Sequence, residues 1–163
     1  MGNVGRQRRR AKPAGAPQAW EEDERERALD RAVRALARRD HSTAALRAKL
    51  ERAGVSEAAR DAAIETLADV GYLDDERFAH DRAQRLAARG YGDDWIRADL
   101  EAQGVASELT ETALGGLEPE RERAQRQARK LGAGLRAARA LQRRGFSEEA
   151  LERVLAGPVA DDP

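Results

Sequence analysis

Two stretches decide the fold: "LARRDHSTAALRAKLERAGV" (36–55) and "LAARGYGDDWIRADLEAQGV" (86–105). At an offset of 50 they align without a gap, and nine of the twenty positions are identical. The match runs on to Ile64 over Leu114 and Leu67 over Leu117. A weaker third copy at an offset of 41 sets Leu100, Gly104 and Leu114 on Leu141, Gly145 and Leu155. Self-similarity at a fixed spacing marks a repeat architecture, here a string of small helical units.

Each copy reads as three helices. Leu29, Ala32, Val33 and Leu36 recur at helical spacing in the first helix of the first copy. A second helix begins near Ser42, whose hydroxyl suits the free amides of a first turn, and carries Leu46 and Leu50. Gly54 ends it, because glycine enters the left-handed region without steric cost. Ser56 then caps a third helix bearing Ile64 and Leu67, and Gly71 closes it. The second copy repeats the plan with Phe78 and Leu86, Ile96 and Leu100, and Ser107 to Leu117. Pro119 opens the third copy at a first-turn position, and Ser147 caps its last helix. No segment alternates with period two. The expected fold is all-α: a disordered basic arm (1–20), three-helix repeats at 21–71, 72–117 and 118–157, and a tail (158–163). The repeats are expected to form an elongated, curved array.

Composition agrees with thin-cored helical units. Apolar content is mostly alanine, and Leu, Ile, Val and Phe make up roughly a sixth of the 163 residues. Net charge is zero, which argues against a disordered chain. Cysteine is absent, which excludes disulfides and thiolate chemistry. No apolar run is long enough to span a bilayer, and no apolar segment follows the basic start, so a cytoplasmic location is expected. Residues 1–20 hold Arg6, Arg8, Arg9, Arg10 and Lys12 and no acid, whereas the remainder carries 25 basic and 30 acidic residues. The arm reads either as a solvated tail or as a contact for a nucleic-acid backbone.

The paired aspartates in "GYLDD" (71–75) and "GYGDD" (90–94) raise the question of a metal or acid–base site. Placed just before helices, Asp74 and Asp93 instead read as caps, with Tyr72 and Leu73 folding back as a staple. A metal needs converging ligands, and there are only two histidines. His41 matches Tyr91 in the repeat and reads as structural, while His80 pairs with Glu76 four residues earlier. Trp20 and Trp95 read as partly buried anchors rather than base-stacking platforms. No phosphate-binding loop, nucleophile elbow or HExxH motif is present. No enzyme, metal or cofactor is expected.

The second and third helices with their central glycine have the outline of a helix-turn-helix. Their third helices start "SEAARDAA", "SELTETAL" and "SEEALERV", and carboxylates there repel a phosphate backbone. Basic residues recur elsewhere: Arg39, Arg89 and Lys130 coincide, Arg47 matches Arg97, and Arg52 matches Arg143. They read either as partners of helix C-termini or as a basic strip along one face.

The stretches "LARRDHSTAALRAKL", "GYLDDERFA", "RGYGDDWIRADLEAQGV" and "LQRRGF" resemble the RecX family, bacterial regulators of the RecA recombinase. The resemblance runs from Leu29 to Leu155. It implies three tandem three-helix units and a monomer lying in the groove of the RecA–DNA filament. In that family the usual effect is inhibition of strand exchange, ATP hydrolysis and co-protease function, which touches recombination, DNA repair and the SOS response. Under this reading Arg47, Arg89, Arg97, Arg143 and Arg144 contact acidic RecA surface or DNA phosphates. Tyr72, Asp74, Phe78, Tyr91, Asp93, Ile96, Leu100 and Gly104 form the structural motif of the central unit. The competing expectation is a stand-alone nucleic-acid-binding helical repeat that uses the arm and the strip.

Overall fold

The computed structural model describes residues 17–132 and 134–156. Among the described residues there are nine helices and no strand, in three groups of three. The first group is α1 (Pro17–Leu36), α2 (Thr43–Arg52) and α3 (Glu57–Asp69). The second is α4 (Asp75–Ala88), α5 (Asp93–Ala102) and α6 (Ser107–Gly115). The third is α7 (Glu120–Leu131), α8 (Gly134–Gln142) and α9 (Glu148–Leu155). Within each group the first helix packs mainly on the third, and the second closes the triangle.

The helices start where capping chemistry allows. Ser42, Ser56, Asp74 and Ser147 each accept the backbone amide three residues on, at 3.0, 3.4, 2.9 and 3.4 Å. Each group has its own core. Leu46, Leu50, Ile64, Leu67 and Leu73 fill the first, and Phe78, Leu86, Ile96, Leu100, Val105 and Leu114 the second. In the third, Leu141, Phe146, Leu151 and Val154 sit among five buried alanines. A fully buried Leu, Ile or Phe contributes about 1.5–3 kcal/mol, so four to six per unit give a thin core. Alanine compensates in two ways. It is the best helix former, and its small side chain lets helices approach closely at Ala32, Ala79, Ala83, Ala124 and Ala137.

Four expectations need correction. Helix α1 begins at Pro17, so the last four residues assigned to the arm are helical; proline is well tolerated in a first turn. Residues 1–16 and the tail lie outside the described residues. Tyr72 does not hold the central unit together, being 68% exposed. The amides of Tyr72 and Leu73 both return to the carbonyl of Leu67, at 2.8 and 3.0 Å, which turns Leu73 into the first unit's core and Tyr72 outward. Asp93 is the first residue of α5 rather than its cap, a place taken by Gly92. His80 partners Gln84 at 3.1 Å and forms no hydrogen bond or ion pair with Glu76.

Successive units meet at seams built alike. At the first, the Ser42 hydroxyl donates to the carbonyl of Gln103, and the Thr43 amide donates to the Asp75 carboxylate at 2.7 Å. At the second, the amides of Gly92 and Asp94 donate to the carbonyls of Arg144 and Gly145 at 2.8 and 3.0 Å. The Asp93 amide donates to Glu120 at 2.7 Å. In both, the N-terminus of one unit's second helix abuts the C-terminal turn of the next unit's second helix. A positive helix end thus faces a negative one. The glycines there have no room for a side chain. With φ of +73° and +76°, Gly104 and Gly145 would place a Cβ 2.5 Å from Ala44 Cβ and 2.7 Å from Trp95 Cβ respectively.

Candidate partner-binding surface

Eleven arginines among the described residues form ion pairs, and the pairing separates the five singled out from the sequence. Arg47 on α2 bonds to Asp61 on α3. Arg97 on α5 bonds to Glu111 on α6 at 2.7 Å and to Asp94 at 3.0 Å. Both cross-helix pairs join residues fourteen apart, and one lies 50 residues after the other. They are a single structural contact copied with the repeat. The Glu111 carboxyl is held below its ordinary value by its hydrogen bond to Arg97. Arg89 closes α4 and lies over the Tyr91 ring at 5.5 Å. Arg144 is half-buried at the second seam against Gly90, whereas Arg143 is exposed.

The motif residues serve the central unit in different ways. Phe78, Ile96 and Leu100 are buried in its core, and Tyr91 packs at the edge of that core. Tyr91 also stacks on Trp95, with ring centroids 5.0 Å apart and planes 16° from parallel, leaving Trp95 46% exposed. Asp74 caps α4. The Asp93 carboxylate takes a charge-assisted bond from Arg123 across the second seam. Burial raises its pKa, and the nearby Glu120 adds to the effect, against the opposing pull of Arg123.

Two features escaped sequence reasoning. The first is Arg123, whose side chain is 4% exposed and donates to the carbonyls of Tyr91 and Glu118 at 3.1 and 2.9 Å as well as to Asp93. In the register that sets Glu120 on Asp75, Arg123 falls on Phe78, so a cation occupies a core position. Its one signal was that mismatch. The second is a groove of about 590 Å³ at the first seam, lined by Arg39, His41, Lys49 and Arg52 of the first unit and Ala102 and Gln103 of the second. His41 is buried there with Nε2 unpartnered. Desolvation, reinforced by Arg39 and Lys49, lowers its pKa below 6.5. Among the described residues, no group of three or more His, Asp or Glu is placed to hold a metal, and no helix is long and apolar enough to cross a membrane.

These features define a helical-repeat protein whose units are joined end to end and whose surface carries both paired and unpaired basic side chains. The first three-helix domain of RecX matches residues 20–67, and the second three-helix domain of RecX matches residues 74–114. Regulatory protein RecX of Halorhodospira halophila is 35% identical over 144 residues, covering 82% of this chain and 89% of that protein. Regulatory protein RecX of Xanthomonas campestris pv. campestris (strain B100) is 36% identical over 105 residues, covering 64% of this chain. That match spans 65% of the relative's length, just under two thirds. The crystal structure of RecX from Lactobacillus salivarius shares the fold, with a TM-score of 0.73 at 18% identity over 82% of this chain and 95% of that one. A second RecX crystal structure gives a TM-score of 0.74 at 19% identity, over 88% of this chain and 80% of that one. The chain belongs to the RecX family.

Proposed function

We propose that this chain is a non-enzymatic regulator that binds the RecA nucleoprotein filament as a monomer and inhibits RecA's recombinase, ATPase and co-protease activities. On this reading it acts in the cytoplasm, in recombination, DNA repair and the SOS response. Membership of the RecX family is the observation that carries the reading. The basic side chains facing solvent support it, because a filament of protein and nucleic acid presents phosphates and acidic patches. Arg89, Arg143 and Arg144 are the proposed contacts from the second seam. Arg47 and Arg97 contribute less, since their charges are already met by Asp61 and Glu111.

The test is RecA's DNA-dependent ATP hydrolysis measured with and without the protein. A dose-dependent fall in rate is the expected result. An unchanged rate, with a pull-down that recovers no RecA, would rule the function out.

A further inference from the structure

We propose that the groove at the first seam holds the sugar–phosphate backbone of a single nucleic-acid strand, gripped by Arg39, Lys49 and Arg52. The assignment rests on the reading of the partner as a nucleoprotein filament. It adds which component of that filament is touched, and where.

The first argument is the absence of acids. Acidic and basic residues are equal in number in this chain, at 30 each. The cations elsewhere are commonly matched: Arg82 with Asp99, Arg85 with Asp40, Arg123 with Asp93 and Arg126 with Glu118. In the groove no carboxylate lines the wall. Among the described residues Arg39 and Lys49 have no ion-pair partner, and Arg52 bonds only to the carbonyl of Ala48, at 3.1 Å.

The repeat supplies the second argument, as an internal control. Basic residues near helix C-termini are commonly explained by the helix dipole, which acts equally on every unit. The positions of Arg39, Lys49 and Arg52 become Arg89, Asp99 and Ala102 in the second unit. In the third they become Lys130, Ala140 and Arg143. Helices α5 and α8 form and end without the full set. The fold therefore does not require all three cations, and only the first seam keeps them together.

The lining chemistry selects the ligand. The cations Arg39, Lys49 and Arg52 stand among alanine side chains, and the remaining polar lining is the buried His41 and the neutral Gln103. A phosphodiester presents acceptors alone and fits such a surface. A polypeptide brings backbone amides that would need acceptors as well. No Phe, Tyr or Trp lines the groove and the His41 ring is buried, so no exposed ring is offered to a base and the contact is independent of sequence. A volume of about 590 Å³ suits a strand rather than a duplex. Because residues of both units line it, an occupied groove ties the first unit to the second.

The experiment is a fluorescence-anisotropy titration of the full chain with a labelled oligothymidylate, without RecA. One variant carries Arg39→Gln, Lys49→Gln and Arg52→Gln. A control removes the same charge outside the groove, with Arg129→Gln, Arg136→Gln and Arg139→Gln. The groove variant is expected to bind about tenfold more weakly, with a log–log salt dependence shallower by about 2, while the control changes far less. Amide shifts in the wild type should concentrate at Ala48–Ala53 and at Ala102 and Gln103. Equal losses in the two variants would overturn the proposal, as would shifts confined to other regions or no binding by the wild type. Dependence on the three cations for polyglutamate but not for the oligonucleotide would overturn it in favour of an acidic protein segment. Since RecA is absent, failure here leaves the regulatory reading intact. Strand binding without any effect on RecA's ATPase overturns the regulatory reading alone.

Discussion

The guanidinium of Arg123, buried in the third unit, reaches across the second seam to the carboxylate of Asp93, the first residue of α5. This pair and the bond from Arg123 to the carbonyl of Tyr91 cross the seam beside the bonds of Gly92, Asp93 and Asp94, while the carbonyl of Glu118 anchors the guanidinium within its own unit. Replacing Arg123 by Met keeps the volume but leaves three acceptors unmatched. A loss of about 2–4 kcal/mol is expected in urea denaturation. Asp93→Asn should cost less, because burial already disfavours its charge.

The seam glycines separate backbone strain from crowding. Gly54, with φ of +76°, has open space where a Cβ would go, while Gly104 and Gly145 face Ala44 and Trp95. Gly54→Ala should cost about 1 kcal/mol from conformation alone. Gly104→Ala and Gly145→Ala should each lose more, by about 1–2 kcal/mol. Thermal denaturation of the three variants gives the ranking, and equal losses would mean that the seams yield freely.

The copied pair Arg97–Glu111 predicts a modest coupling. A double-mutant cycle should return at most about 1 kcal/mol, since both side chains are substantially exposed. Glu111 has a folded pKa below its unfolded value, so its contribution is present above the unfolded value of 4.5. It disappears as pH falls through the folded value. A cycle whose coupling stayed constant on acidification would contradict the pair.

His41 predicts a second pH effect from a different cause. Its folded pKa lies below 6.5, so the unfolded chain takes up a proton first and stability falls as pH drops through that value. The melting temperature should decrease between about pH 7.5 and 5.5, and less so in His41→Tyr, the residue type at the matching position of the second unit. Identical pH profiles for the two proteins would show that His41 is not the titrating group.

For the regulatory reading, Arg89→Glu with Arg143→Glu should weaken inhibition of RecA's ATPase about tenfold or more without loss of helicity by circular dichroism. Arg97→Glu is a poor probe, because it sets like charges against Glu111 and Asp94 and tests the fold instead.

The all-helical repeat was legible because its signals are local. Ser42, Ser56, Asp74 and Ser147 cap helices as read, and Phe78, Ile96 and Leu100 fill the core at helical spacing. The seams were not legible, because they are built largely from backbone groups of distant turns, as in Gly92 to Arg144, and leave no periodic trace. Asp93 was misplaced by one residue because glycine can also occupy the cap position. The pairing of Arg47 and Arg97 was legible but missed: the acids fourteen residues on, Asp61 and Glu111, repeat at the same offset of 50.

The seam carboxylates give the chain a direction. Asp75 completes the amide of Thr43, and Glu120 that of Asp93, so each of the first two units receives a finishing contact from the one made after it. As the chain leaves the ribosome, a unit stays incompletely closed until the first turn of its successor has emerged. A product ending after α6 would lack not only the third unit but also the partners that settle the start of α5.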